Sequence, residues 1–256
     1  MLKKARQEQI IQLLQSKGAV EVSQLCRIFG TAEMTIRRDL DELAAQGVVG
    51  RTHGGAVLSE NNLLIERPFD VRQAQQCAAK QAIAKAAAGM IKEGYKIILD
   101  SGTTTFALAK MVDNSKRIIA VTNAINIAGE LIARTNVSVL AVGGSLRANT
   151  LSCVGHIAEN TMKEIKVDLA FLGVGGIGED GSLTNASPVE VGIKRAIMAA
   201  AKQRVVLADS SKIGREEFSR IADLRDVDCL ITDSKAPKKI LARYRKMGVH
   251  VNIVRM

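Results

Sequence analysis

MTIRRDLDEL, residues 34–43, places two adjacent arginines inside a helical pattern of apolar residues. Ile36, Leu40 and Leu43 recur at i, i+4 and i+7, so they form one buried stripe of a helix. The two arginines follow Ile36 directly and lie about 100° and 200° around the helix from it, so at least one faces away from the core. The stretch predicts an amphipathic helix that presents positive charge outward.

Two further helices and a hairpin surround this segment. Residues 3–16 carry apolar side chains at helical spacing and stop before Gly18, and residues 22–29 do the same before Gly30. VVGRTHGGAV, residues 48–57, has two short apolar stretches around a Gly-Gly turn, as β-hairpins do. Three short helices followed by a hairpin predict a winged helix-turn-helix, whose third helix enters the major groove of DNA while the wing touches the backbone.

The candidate DNA contacts follow from that arrangement. They are Thr35, Arg37 and Arg38 on the third helix, and Arg51 and His53 on the wing. Arginine suits guanine edges and phosphates because its planar fork offers paired donors. The pattern leaves open which arginine reads a base and which holds a phosphate.

A solvated helix face is the alternative for the arginine pair. Arg37 would then bind Asp41 and Arg38 would bind Glu42, both at i, i+4. The preceding helix, the tight turn and the basic hairpin favour DNA binding over this alternative.

The segments TIRRDLDEL and RTHGGAV closely resemble the N-terminal signature of DeoR-type bacterial transcription regulators. One departure concerns the start of the third helix, where that family usually has Val-Ser and this chain has Thr31 and Ala32. The serine would cap the helix, and its loss costs about 1 kcal/mol unless Thr31 replaces it. The resemblance therefore leaves the helix start open.

Composition excludes several other classes of protein. No uncharged apolar run approaches the ~20 residues of a membrane helix, and the N-terminus lacks the apolar stretch of a signal peptide, so we expect a soluble, cytoplasmic protein. Four scattered cysteines without a C-x-x-C pair and three distant histidines predict no metal site and no cofactor. The net charge of +10 favours DNA in general, but residues 1–57 hold only eight Lys/Arg against six Asp/Glu.

The rest of the chain predicts a linker and a second domain. Residues 1–57 form the DNA-binding module, polar residues and a proline at 58–70 indicate a linker, and residues 71–256 form the second domain. An Ala-rich helix to about Glu93 opens that domain. Seven apolar strands separated by helical segments then predict an α/β fold with a doubly wound, mostly parallel sheet. The strand segments are KIILD, RIIAVTN, VSVLAVGG, VDLAFLGVGG, RVVLADSS, CLITD and VHVNIV.

Small polar turns follow these strands and predict a ligand-binding crevice. Parallel strands of a doubly wound sheet finish at one edge, where ligands of this architecture bind. In DSGTTTFALAK the glycine allows close approach, the threonines offer hydroxyls, and the helix beginning near Thr104 offers free N–H groups to a phosphate. The candidate binding residues are Asp100, Ser101, Gly102, Thr103, Thr104, Thr122, Asn123, Gly143 and Gly144, with Arg147 and Lys212 as charge partners.

Two further patterns have ordinary interpretations. GVGGIG, residues 173–178, matches a dinucleotide fingerprint, but a polar loop follows it where a helix is required, so we reject NAD binding. Glu190 and Lys194 stand one helical turn apart, and the residues 187–190 predict a capping box with proline at the first helical position. A structural role is expected for both.

The second domain also resembles the DeoR-family effector domain, which is related to sugar-phosphate isomerases. The resemblance carries over to residues 100–104, 122–123, 143–144 and ADSSK at 208–212. It implies a repressor of a carbohydrate-utilisation operon that binds double-stranded operator DNA, usually as a homodimer or homotetramer, and releases it when a phosphorylated sugar binds. A phosphosugar isomerase or deaminase with a DNA-binding appendage is the alternative, with Asp100 or Asp209 as general base. Activation instead of repression also stays open, and the Ala-rich helix at 70–93 is the expected lever between the domains.

Overall fold

A computed structural model describes residues 2–45, 48–58 and 68–256, with the backbone alone at 15, 16 and 58. The chain divides into two compact units, residues 1–72 and 73–256, and each is described by itself. Most of the predicted linker, residues 59–67, lies outside the described residues. So does Gly47, at which the sequence predicts the end of the third helix.

The first unit is the predicted winged helix-turn-helix. Its elements are α1 (Lys3–Lys17), β1 (Ala19–Glu21), α2 (Val22–Phe29), α3 (Glu33–Ala45), β2 (Val49–Thr52) and β3 (Gly55–Leu58). Gly18 and Gly30 end the first two helices in left-handed conformations, with φ of 74° and 58°. The predicted stripe of α3 is buried against α1 and α2, and the hairpin forms as expected.

Two features of this unit were not predicted. The three-residue β1 pairs with β3 and completes a three-stranded sheet of order β1-β3-β2. Asp39 of α3, only 2% exposed, receives two hydrogen bonds from Arg6 of α1, at 2.5 and 3.2 Å. This buried ion pair fastens α1 to α3, and the hydrogen bond to Asp39 raises the pKa of Arg6.

The second unit contains the predicted doubly wound sheet. Its helices are α4 (Phe69–Ala74, which spans the division), α5 (Cys77–Ala88), α6 (Thr103–Met111), α7 (Ile125–Leu131), α8 (His156–Lys163), α9 (Val191–Ala200) and α10 (Lys238–Lys246). Its strands are β4 (Lys96–Leu99), β5 (Ile118–Thr122), β6 (Val137–Ala141), β7 (Ser145–Arg147), β8 (Ser152–Val154), β9 (Val167–Gly173), β10 (Gly176–Ile177), β11 (Ser182–Asn185), β12 (Ala201–Leu207), β13 (Ser219–Asp223), β14 (Cys229–Asp233) and β15 (His250–Val254).

All seven predicted strands lie in one parallel sheet of order β15-β14-β12-β9-β4-β5-β6. Helices α5, α6 and α7 cover one face with apolar side chains, and α8, α9 and α10 cover the other. From β4 the chain proceeds outward to β5 and β6, then returns to the opposite side of β4 at β9. The strand order therefore reverses between β4 and β9, which is where such sheets bind ligands.

The prediction of one Ala-rich helix up to Glu93 is wrong. Two helices occupy this stretch, since Gln76 adopts a left-handed φ of 51° between α4 and α5, and α5 ends at Ala88. Glutamine is a good helix former, so local propensity gives no sign of the break. Two small antiparallel sheets, β7-β8 and β10-β11-β13, were also not predicted.

The described ranges contain no helix with the length and apolar character of a membrane span. In the same ranges, no three His, Cys, Asp or Glu side chains lie together as metal ligands would.

Candidate DNA-binding helix and effector crevice

The two arginines on the outward face of α3 differ in their partners and in their exposure to solvent. Arg37 pairs with Glu33 one turn earlier, with Nη2 and Nε 2.7 and 2.8 Å from Oε1. The solvated-face alternative paired Arg37 with Asp41, but Asp41 binds Arg51 instead. Arg38 is 81% exposed, and its Nε lies 3.7 Å from Glu42, so this guanidinium extends into solvent.

The wing residues also differ from each other. Arg51 is held by Asp41 at 2.9 Å and donates from Nη1 to the Gly55 carbonyl at 2.9 Å, so it ties the wing to α3. His53 is exposed in the turn between β2 and β3, and Thr35 is half-buried on α3. The candidate DNA contacts thus lie on α3 and the wing, with Arg38 and His53 as the most exposed members.

In the structure α3 begins at Glu33, a start that the sequence alone leaves undecided. The Ala32 carbonyl accepts from the N–H groups of Thr35 and Ile36, which places Ala32 at the cap position. The Thr31 hydroxyl donates backward to the Phe29 carbonyl at 3.0 Å. Thr31 therefore stabilises the turn between α2 and α3.

In the second unit, an ion pair lies at the switch point of the sheet. Lys194 of α9 places Nζ 2.5 Å from Oδ2 of Asp100, which follows β4, and 2.7 Å from the carbonyl of Gly173 at the end of β9. The Gly173 N–H donates to the same carboxylate oxygen at 3.1 Å. Burial raises the pKa of Asp100, and the Lys194 ammonium opposes that rise. The pair joins the two strands between which the topology reverses.

The residues after Asp100 form the start of α6. Gly102 is the cap residue, with φ of 154°, and it has no side chain with which to satisfy the first N–H groups of the helix. Ser101, Thr103 and Thr104 are buried around it. The Thr105 hydroxyl turns back to the Gly102 carbonyl at 3.0 Å. This turn offers backbone donors and hydroxyls beside the Asp100–Lys194 pair.

The expected capping role of Glu190 is wrong. Ser187 makes no side-chain cap bond, and Lys194 bonds to Asp100. Glu190, which is 3% exposed, instead accepts from Asn185 at 2.6 Å and pairs with Arg147 at 2.8 Å. Burial raises the pKa of Glu190, but the charges of Lys194 and Arg147, together with hydrogen bonds from Thr150 and Asn185, lower it.

The end of β5 reaches the same region through the β7-β8 hairpin. Asn123 donates from Nδ2 to the Cys153 carbonyl at 3.1 Å, and the Thr122 hydroxyl accepts from the Ala124 N–H at 3.1 Å. Ser152, beside Cys153, donates to Glu190 at 3.4 Å. Hydrogen bonds thus connect the end of β5 to the buried charges near β4.

The remaining predicted residues lie at the margins of this region. Gly143 and Gly144 are exposed, and Gly144 has φ of 152°, where a Cβ would lie 2.7 Å from the Val154 carbonyl oxygen. Lys212 closes the short turn after β12, which is two strands from β4. The GVGGIG segment enters the β10-β11 hairpin, and this is not the strand–helix turn that a dinucleotide site uses.

Sequence reasoning missed Lys194 and Glu190 as members of this region. A usable signal was present, since Lys194 shares a helical stripe with Met198, which is buried. A lysine on a buried stripe requires an acidic partner, and the partner is 94 residues away in sequence.

Two family descriptions match the chain. The DeoR-like helix-turn-helix domain matches residues 6–62, and the DeoR C-terminal sensor domain matches residues 75–234. The second match alone covers more than half of the chain.

Two relatives are similar over nearly the full length. A putative aga operon transcriptional repressor of Escherichia coli O157:H7 is 36% identical, over 97% of this chain and 93% of its own. The glycerol-3-phosphate regulon repressor of Escherichia coli K12 is 33% identical, over 92% and 93%. A ribose 5-phosphate isomerase A from Methanocaldococcus jannaschii is 18% identical, covering 52% of this chain and 53% of its own, with a TM-score of 0.39. The two relatives that are similar over nearly the full length are named as repressors, which decides against the enzyme alternative. The chain belongs to the DeoR family of DNA-binding transcriptional regulators.

Proposed function

We propose that the protein represses a carbohydrate-utilisation operon in the cytoplasm and leaves its operator when a phosphorylated sugar binds in the crevice. The observation that carries the proposal is the start of α6. Its open N–H groups and its serine and threonine hydroxyls stand at the switch point of the sheet, next to the buried Asp100–Lys194 pair.

The start of α6 supports a phosphate group in particular. A helix N-terminus combines free backbone donors with a positive dipole end, and both favour an anion. The charged side chains close by, Asp100, Glu190, Lys194 and Arg147, balance to zero formal charge, so a phosphate meets no net repulsion.

The polar surroundings support a sugar as the rest of the ligand. Carboxylates, amides and hydroxyls from β4, β5, β8 and β11 meet at this edge, and such groups bind hydroxyls. The name of one relative, a glycerol-3-phosphate regulon repressor, agrees with a small phosphorylated polyol. The printed names of the relatives also support repression over activation.

Calorimetric titration of the full chain with matched ligand pairs tests the effector half. Each sugar phosphate would be compared with its unphosphorylated sugar at one pH and salt concentration. We expect binding from one or more of the phosphorylated members only. Equal binding of a sugar with and without its phosphate would overturn the assignment of the α6 turn.

The DNA half rests on the exposed Arg38. Changing Arg38→Ala is expected to weaken operator binding by about 1–3 kcal/mol, because it removes a base or phosphate contact of the recognition helix. Fluorescence anisotropy at fixed salt measures the change. Arg117→Ala is the control, since Arg117 is 84% exposed in the other unit and its loss changes the net charge equally. Unchanged affinity in the Arg38 variant would count against α3 as the recognition helix.

Paired operator half-sites require paired recognition helices, so we propose a homodimer or homotetramer. We assign the coupling between the effector crevice and the DNA-binding helix to α4 and α5. In sequence these two helices lie where the chain divides into its two units. Ligand can change DNA affinity only by binding two conformations differently. Replacing the α4–α5 segment with a helix pair that keeps only its buried residues is expected to abolish the ligand response while operator binding persists.

A further inference from the structure

Three amide atoms near the start of α7 are buried and unpaired. Among the residues that the structure describes, Asn123 Oδ1 and both Asn126 Nδ2 and Asn126 Oδ1 have no hydrogen-bond partner. Buried polar atoms are rarely left unpaired, because water is lost without replacement. Two asparagines three residues apart, both with buried amide atoms that lack a partner, indicate a place where another molecule completes the hydrogen bonds.

The Asn123 side chain is fixed in its orientation. It is 1% exposed, its Nδ2 donates to the Cys153 carbonyl at 3.1 Å, and its backbone carbonyl accepts from the Cys153 N–H at 2.7 Å. A flip of the amide would place two oxygens against each other, so Oδ1 is the free atom.

The position of Asn126 follows from the stripe of α7 on which it lies. Glu130, one turn later, pairs with Arg134 at 3.5 Å, and Arg134 donates to the Val112 and Lys110 carbonyls at the end of α6. This stripe therefore faces α6. Because α6 and α7 follow neighbouring parallel strands, their first turns lie side by side. Asn126 thus stands beside the first turn of α6.

We propose that Asn123 and Asn126 bind hydroxyl groups of the effector and so distinguish a sugar phosphate from a bare phosphate. The two oxygens accept and the amide nitrogen donates, which suits hydroxyls that do both. The α6 turn would hold the phosphate and the asparagines would hold the sugar. This inference rests on the proposed function, and it adds Asn126 as a specificity-determining residue.

Asn126→Leu is the test variant, because leucine matches asparagine in size and cannot form hydrogen bonds. The full chain would be titrated with inorganic phosphate and with a panel of pentose, hexose and triose phosphates. For a sugar phosphate that the unmodified chain prefers over phosphate, we expect about a tenfold loss of affinity in the variant. Affinity for inorganic phosphate is expected to stay the same.

If Asn126 had a structural role instead, Asn126→Leu would lower the melting temperature of the unliganded chain. Since its amide has no partner in the protein, Asn126→Leu should leave the melting temperature of the unliganded chain equal or higher. Thr232→Val is the matched control, because Thr232 Oγ1 is also buried and unpaired, on β14, three strands from β4. It should leave both affinities unchanged. Asn126→Ser repeats the test should the leucine variant fail to fold.

The outcomes separate this inference from the proposed function. Equal sugar-phosphate affinity in the Asn126 variants and the unmodified chain would overturn the inference alone and leave ordered water as the partner of the amide. If the unmodified chain binds no sugar phosphate more tightly than inorganic phosphate, hydroxyl recognition is wrong. If it binds neither probe, the effector proposal itself fails.

Discussion

Changing Lys194→Met is expected to destabilise the second unit by about 3–5 kcal/mol, because it leaves the Asp100 carboxylate buried without its counter-ion. Asp100 is fully buried, and Lys194 also donates to the Gly173 carbonyl. The variant therefore loses a charge partner and a hydrogen-bond donor together. Urea unfolding followed by circular dichroism measures the change.

Lower pH should partly rescue this variant. Burial already raises the pKa of Asp100, and removing Lys194 deletes the main opposing charge. The folded chain then binds a proton at Asp100 more tightly than the unfolded chain does, so stability rises as pH falls toward the ordinary carboxyl range. The deficit should be largest at neutral and alkaline pH.

Two further variants serve as controls for Lys194. Adding Asp100→Asn to Lys194→Met removes both charges and should recover much of the lost stability. Lys202→Met breaks an exposed pair with Asp168 and should change the stability little, because solvent screens exposed ion pairs. A Lys194 variant as stable as the Lys202 variant would show that the buried pair does not hold β4 and β9 together.

The second large effect is expected at Gly55 in the wing. An added Cβ would lie 1.9 Å from the Val20 carbonyl oxygen, because β3 packs against the backbone of β1 at this residue. Gly55→Ala must therefore separate β1 from β3, at a cost of about 3 kcal/mol, and operator binding should be lost with the wing. Anisotropy and thermal unfolding report the two losses.

Gly54→Ala is the matched control for this prediction. Gly54 is the neighbouring residue, it is exposed, and a Cβ there meets no atom within 4 Å. This variant should fold and bind DNA nearly as well as the unmodified chain. Equal behaviour of the two alanine variants would contradict the close pairing of β1 with β3.

Much of the fold could be predicted because its signals are local. The seven strands of the parallel sheet are continuous apolar runs, and the stripe of α3 has clear helical spacing. The break between α4 and α5 could not be predicted, since Gln76 adopts its left-handed conformation without a glycine or proline to mark it. β1, with three residues, is too short to show a period.

The candidate crevice could also be predicted only where its signals are local. Polar turns after parallel strands indicate where ligands bind, and this placed the α6 turn and Asn123 in one region. The ion pairs are different, because local spacing places Lys194 one turn from Glu190 but gives no sign of its bond to Asp100. Partners that are distant in sequence leave no periodic signal.

Fluorescence anisotropy of the full chain on its own upstream DNA, at fixed salt and with a panel of sugar phosphates, tests the central claim most directly. We predict tight, sequence-specific binding that one phosphorylated sugar relieves and its unphosphorylated form does not. Binding no tighter than to random DNA, or binding that no sugar phosphate changes, would contradict the account of a repressor released by a phosphorylated sugar.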